Sequence, residues 1–77
     1  MNINVQFFGT IDKHDHDNVF EMDCPDKCTV GELAILLGFP SNQIQALAAI
    51  IREKRVLMNH VLSDGDAVCL FVPAGGG

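Results

Sequence analysis

Gln45-Ala46-Leu47-Ala48-Ala49-Ile50-Ile51-Arg52-Glu53-Lys54-Arg55-Val56-Leu57 is the stretch on which the fold turns. Its alanines, leucine, arginine, glutamate and lysine are strong helix formers by intrinsic propensity, so the segment taken alone reads as a helix. Against that, Ile50-Ile51 and Val56-Leu57 flank the charged Arg52-Glu53-Lys54-Arg55 segment, a pattern that also suits strand, turn, strand. Local chemistry leaves both readings open.

The flanks are less ambiguous. On the C-terminal side, Ser63-Asp64-Gly65-Asp66 is a turn, because Gly65 supplies a positive φ and the aspartates bond nearby backbone. Val68 to Val72 then reads as a buried strand. On the N-terminal side, Ile3, Val5 and Phe7 alternate with Asn4 and Gln6, the period of a half-buried strand that Gly9 ends. Residues 9 to 18 read as a polar loop too charged to pack, and Val19 to Asp23 as a second strand, giving a hairpin across a long loop. Thr29-Val30-Gly31-Glu32 fits a capping box, so a helix starts there. Val30, Leu33, Ala34 and Leu37 form its apolar stripe, Gly38 is placed as a left-handed stop, and Pro40 forbids continuation. Two opening strands and a helix point to an α+β domain, with a mixed sheet on one side of the helix and the first and last strands as central neighbours.

Seventy-seven residues make one domain, and a domain of that size buries roughly 60 to 65% of its unfolded surface. No large two-sided catalytic cleft fits in it. Hydrophobic residues are 48% and charged residues 19%, a globular balance. A net charge of −5 with only five Lys and Arg argues against nucleic acid, since phosphate binding needs a basic patch. Three of those five stand together at Arg52, Lys54 and Arg55. The acidic remainder suits steering towards a basic groove on a protein partner, and also serves solubility. Cys24, Cys28 and Cys69 are an odd number, and Met1-Asn2-Ile3-Asn4 begins a strand rather than a leader, so the expected place is the cytoplasm with reduced thiols and no membrane segment.

Three groups invite chemical readings. Asp12, His14, Asp15, His16 and Asp17 bring two imidazoles close in sequence with no cysteine nearby, so a solvated loop is expected and no metal site. Cys24 and Cys28 are separated by three residues, not the two of a thioredoxin-type or zinc-knuckle pair. Cys28 precedes a helix cap, where the dipole lowers a thiol's pKa, but two reduced structural thiols are the favoured reading, with Cys69 a small hydrophobe of the last strand. The end, Gly75-Gly76-Gly77, is either a flexible leftover or a thin reactive arm that delivers the Gly77 carboxylate. Glycine makes the slimmest peptide that threads a tunnel, and three extended residues span about 10 Å. Alternation sets Phe71 on the face opposite Val68, Leu70 and Val72. Phe71 and Phe8, with Pro73 and Ala74, are expected to form a partner patch, the alternative being that both rings finish the core.

Four segments carry a family likeness: Asn4-Val5-Gln6-Phe7-Phe8, Thr29-Val30-Gly31-Glu32-Leu33, Val61 to Val68 through the Asp64-Gly65-Asp66 turn, and Phe71-Val72-Pro73-Ala74-Gly75-Gly76-Gly77. Together they span most of the chain, which resembles the MoaD/ThiS group of β-grasp sulfur carriers, prokaryotic relatives of ubiquitin. The resemblance implies a β-grasp domain over residues 1–74 and a glycine arm at 75–77. It also implies strand and turn over 46 to 57, although this chain carries Ile51-Arg52-Glu53-Lys54-Arg55 where the family usually has a Val-Asn-Gly-type turn. Further, it implies that the chain is not itself an enzyme and binds no cofactor. An E1-like adenylating enzyme of the MoeB/ThiF type would activate Gly77 with ATP and Mg, and a cysteine desulfurase or rhodanese-type donor would leave a thiocarboxylate. Gly76, Gly75, Ala74, Pro73, Phe71 and Phe8 would then engage the large subunit of molybdopterin synthase or a thiazole synthase. The loop at 9 to 18 and Phe7-Phe8 favour the molybdopterin branch over the thiamin branch. Two other uses stand beside these: a ubiquitin-like modifier conjugated through Gly77, and a plain interaction module with an inert tail.

Overall fold

The computed structural model describes residues 1–9, 11, 13, 14 and 16–73. Seven elements follow in order: β1 (Asn2–Phe7), β2 (Val19–Asp23), α1 (Val30–Leu37), α2 (Ser41–Ile44), β3 (Ala48–Ile51), β4 (Lys54–Val56) and β5 (Ala67–Phe71). The strands form one mixed sheet in the order β2-β1-β5-β3-β4. β1 and β5 are neighbours, as expected, and run parallel, while every other pair is antiparallel. This is the α+β, β-grasp arrangement, with the sheet wrapped on one main helix.

Alternation sets the core. Ile3, Val5 and Phe7 of β1 face the helix beside Val68 and Leu70 of β5, with Val5 opposite Val68 and Phe7 opposite Leu70. The stripe Val30, Leu33, Ala34 and Leu37 covers them from α1. The Glu32 N–H donates to the Thr29 hydroxyl at 3.1 Å and the Thr29 N–H to the Glu32 carboxylate at 3.0 Å. The capping box is thus closed in both directions, a cap worth about 1 kcal/mol. Gly38 ends the helix at φ 109°. Gly31 gives close approach: a Cβ there would stand 3.3 Å from the Met58 carbonyl oxygen, to which the Gly31 N–H donates, so a side chain would push that backbone away by a few tenths of an ångström.

Residues 48–56 form a hairpin, and tertiary pairing explains why propensity loses. Helix preferences differ by only tenths of a kcal/mol per residue, whereas placing β3 between β5 and β4 buries Ala48, Ala49 and Ile51 and pairs the strand's backbone on both sides. The connecting pair, Arg52 and Glu53, has φ of 52° and 66°. Those are the two left-handed positions of a type I′ turn, usually filled by Asn-Gly.

The loop expected to be too charged to pack is packed. Ile11 lies in the core. The His14 ring meets Phe39 edge-on at 4.4 Å between centroids, and His16 stacks on Phe20 at 4.7 Å with 10° between planes. His16 Nε2 also lies 3.1 Å from the Leu37 carbonyl oxygen at the end of α1. Counting charges along the loop missed that an imidazole has an apolar face. Two smaller corrections concern the connector, where Ser41–Ile44 is a helical turn, and the last strand, which ends at Phe71 so that Val72 leaves the sheet and is exposed. Among the described residues no helix is long and apolar enough to cross a membrane.

Candidate functional site

Ala74, Gly75, Gly76 and Gly77 lie outside the described residues, so the part of the expected site open to inspection is the base from which they depart. β5 runs between β1 and β3 and points the same way as β1, so both strands finish at one end of the sheet. Phe71 is the last residue of β5, opposite Ala48 of β3 and on the face turned away from α1. Its ring is half-buried, and the Arg55 guanidinium carbon sits 5.9 Å above the ring centroid. Phe8 follows β1, donates its N–H to the Leu70 carbonyl at 3.0 Å, and is 62% exposed. Pro73 is half-buried. The expected residues Phe8, Phe71 and Pro73 are therefore brought to one end of the sheet, and neither phenylalanine belongs to the buried core.

A shallow groove of about 380 Å³ flanks this end, lined by Asn42, Gln45, Leu47, Arg55, Val72 and Pro73. Arg55, Asn42 and Gln45 were not anticipated. No local signal marks them, because their placement beside Pro73 depends on the β3–β4 hairpin and on α2.

The neighbouring turn is held by a charge. Asp66 is buried, its Oδ1 accepts from Arg52 Nη1 at 2.8 Å, and its Oδ2 accepts from the Ser63 N–H at 2.9 Å. Gly65 takes φ 86°, and the Asn2 N–H donates to Asp64 Oδ1 at 2.7 Å. The Asp64-Gly65-Asp66 turn thereby joins the start of β5 to the start of β1 and to the β3–β4 turn.

The thiols are quiet. Burial, then the neighbouring Cys24 and Glu32, pushes the Cys28 thiol up to about 11, so the helix dipole does not activate it. Burial also raises Cys69. Both Cys24 and Cys28 are buried, free thiols of the core. Among the described residues no group of three His, Cys, Asp or Glu side chains is placed to hold a metal. His14 and His16 engage aromatic rings instead.

No protein-family model matches the chain, and no curated protein matches it by sequence. Solved structures do. The complex of subunits 1 and 2 of molybdopterin-converting factor from Helicobacter pylori contains a chain 27% identical, with a TM-score of 0.63 over 100% of both chains. Small archaeal modifier protein 1 of Haloferax volcanii is 14% identical, with a TM-score of 0.72 over 95% of this chain and 98% of its own. A Pyrococcus furiosus chain described as a candidate molybdopterin converting factor subunit 1 is 16% identical, with a TM-score of 0.73 over 95% and 98%. The protein is a β-grasp domain of the ubiquitin-like class. Within that class its likeness is to the MoaD/ThiS-like group: its solved neighbours include a molybdopterin converting factor subunit 1 and ubiquitin-like proteins.

Proposed function

We propose that the chain is a sulfur carrier of molybdopterin biosynthesis, acting in the cytoplasm with residues 1–74 as the docking domain and 75–77 as the delivery arm. The observation that carries this reading is the full-length likeness, at 27% identity, to a chain of the Helicobacter pylori converting-factor complex. The end of β5 is consistent with it, since Phe8, Phe71 and Pro73 stand outside the core near one another, the kind of apolar group that anchors a small interface.

The chemistry follows from the group presented. A carboxylate is a poor acyl donor, so an E1-like enzyme would adenylate Gly77 with ATP, Mg assisting, and release pyrophosphate. The outer sulfur of a protein persulfide then attacks the acyl-adenylate and displaces AMP. A second thiol of the activating or donor enzyme cleaves the resulting acyl disulfide, forming a disulfide itself and releasing a thiocarboxylate, a soft nucleophile that the large subunit of the synthase directs at a pterin precursor. The carrier contributes no catalytic side chain in this scheme: Gly77 is the reacting residue, Gly76 and Gly75 give slimness, and the folded domain gives specificity.

The test is intact mass after incubation with ATP, a sulfur source and an activating enzyme of the MoeB or ThiF type. Exchange of one oxygen for sulfur at Gly77 is expected, and a chain that stays unchanged while a control carrier is charged sinks the proposal. The likeness to a small archaeal modifier protein favours a second reading, conjugation to lysines through Gly77. That use gives isopeptide-linked products of higher mass. A thiazole synthase in place of the molybdopterin subunit as acceptor would mark the thiamin branch.

A further inference from the structure

Among the described residues the sheet has two edges without a neighbouring strand, β2 and β4, and their chemistry is opposite. β2 carries Glu21 and Asp23, and β4 carries Lys54 and Arg55. A free edge normally invites pairing, and charges on it normally forbid that. Here they forbid only like with like: β2 against β2 opposes carboxylates, β4 against β4 opposes cations, and β2 against β4 opposes unlike charges.

Backbone geometry selects the same match. The Phe7 N–H donates to the Asn18 carbonyl and the Cys24 N–H to the Met1 carbonyl, both at 2.8 Å. The β1–β2 register places Val5 opposite Phe20 and Ile3 opposite Met22 between those two bonds. The ladder therefore spends the backbone groups of Phe20 and Met22 on β1, and those of Val19, Glu21 and Asp23 point off the edge. In β4, Lys54 and Val56 flank Arg55 in the two-residue hairpin and pair with Ile51 and Ala49. The ladder bonds fall on those two, so the N–H and C=O of Arg55 point outward.

Strand direction agrees too. β4 is antiparallel to β3 and β3 to β5, while β5 is parallel to β1 and β1 antiparallel to β2. The two edges thus run in opposite senses, and a second molecule translated along the sheet presents its β4 antiparallel to β2. In one register Glu21 faces Arg55 as a hydrogen-bonded pair with both side chains on the face away from α1. The same register sets Phe20 against Val56, Met22 against the Lys54 stem and, at the β3–β4 turn, Asp23 against Glu53, its one like-charged pair. It also sets Val19 against Leu57, two of the most exposed large apolar residues, at 62% and 74%.

We propose that β2 and β4 form an interface between copies of this chain, continuing the sheet head to tail through Glu21 and Arg55. Because the contact is heterologous, it repeats without closing and builds short open arrays as concentration rises.

Sedimentation velocity across a concentration series, at low and high salt, reads this directly. The wild-type chain is expected to associate, less so at high salt. Glu21→Arg and Arg55→Glu are each expected to weaken association on the order of tenfold or more. An equimolar mixture of the two variants regains association, because each then offers the charge the other lacks. Circular dichroism confirms that both exposed substitutions leave the fold intact. A wild-type chain that stays monomeric into the millimolar range overturns the proposal. So does a mixture no more associated than the separate variants, or a single reversal that associates like wild type.

Discussion

Arg52 and Asp66, fourteen residues apart, meet at 2.8 Å, the arginine side chain 74% exposed and the aspartate 5%. The pair clamps the β3–β4 turn to the turn that starts β5. Loss of either partner is not symmetric. Asp66→Ala leaves the Ser63 N–H without its side-chain acceptor and costs about 2 kcal/mol. Arg52→Ala leaves a buried carboxylate held by one backbone donor, and costs about 1 to 2 kcal/mol after screening of the exposed arginine. Chemical denaturation of both variants, with an unchanged slope against denaturant, checks the order.

Glu53 occupies a left-handed backbone position at φ 66° that a side chain adopts at a cost. Glu53→Gly relieves it while leaving the Arg52–Asp66 clamp in place. We expect a gain of about 0.5 to 1 kcal/mol, visible as a higher melting temperature. A loss of stability would show that the Glu53 side chain contributes more than its backbone strain takes away.

The Cys28 thiol has its pKa raised from 9.0 to about 11 by burial. Between those values the folded chain binds more protons than the unfolded chain, so stability is fully present below pH 9 and falls as pH rises towards 11. The contribution lost is on the order of 2 kcal/mol. Cys28→Ala should flatten that part of the stability profile relative to wild type, and parallel profiles would refute the assignment.

Phe8 and Phe71 sit at the same end of the parallel pair but differ in exposure. Phe8→Ala should leave unfolding within about 0.5 kcal/mol of wild type, and Phe71→Ala somewhat further because its ring supports Arg55. Both are expected to weaken capture by an activating enzyme or a synthase large subunit, measured by calorimetric titration. If only stability changes, the two rings are structural.

Much of the fold was readable because single residues carry its punctuation. Thr29 with Glu32 can do little but cap, Gly38 and Gly65 take backbone angles that other residues resist, and the alternation of β1 survives any neighbour. The hairpin at 48–56 was not readable from its own residues, since what makes Ala48 and Ala49 strand is β5 lying alongside them. It followed only from the family likeness. The histidine loop was misread for a related reason: its partners Phe20, Phe39 and Leu37 all lie later in the chain. Of the site, Phe8, Phe71 and Pro73 were visible in the pattern, while Arg55 and the groove beside Pro73 needed the hairpin register.

The first strand and the last are parallel neighbours at the heart of the sheet. A pull on the carboxyl end against the amino end therefore loads their ladder in shear, with its hydrogen bonds sharing the force instead of parting one after another. Under the proposed function, an enzyme that draws on the residues beyond β5 would meet that shared load rather than a strand that peels away.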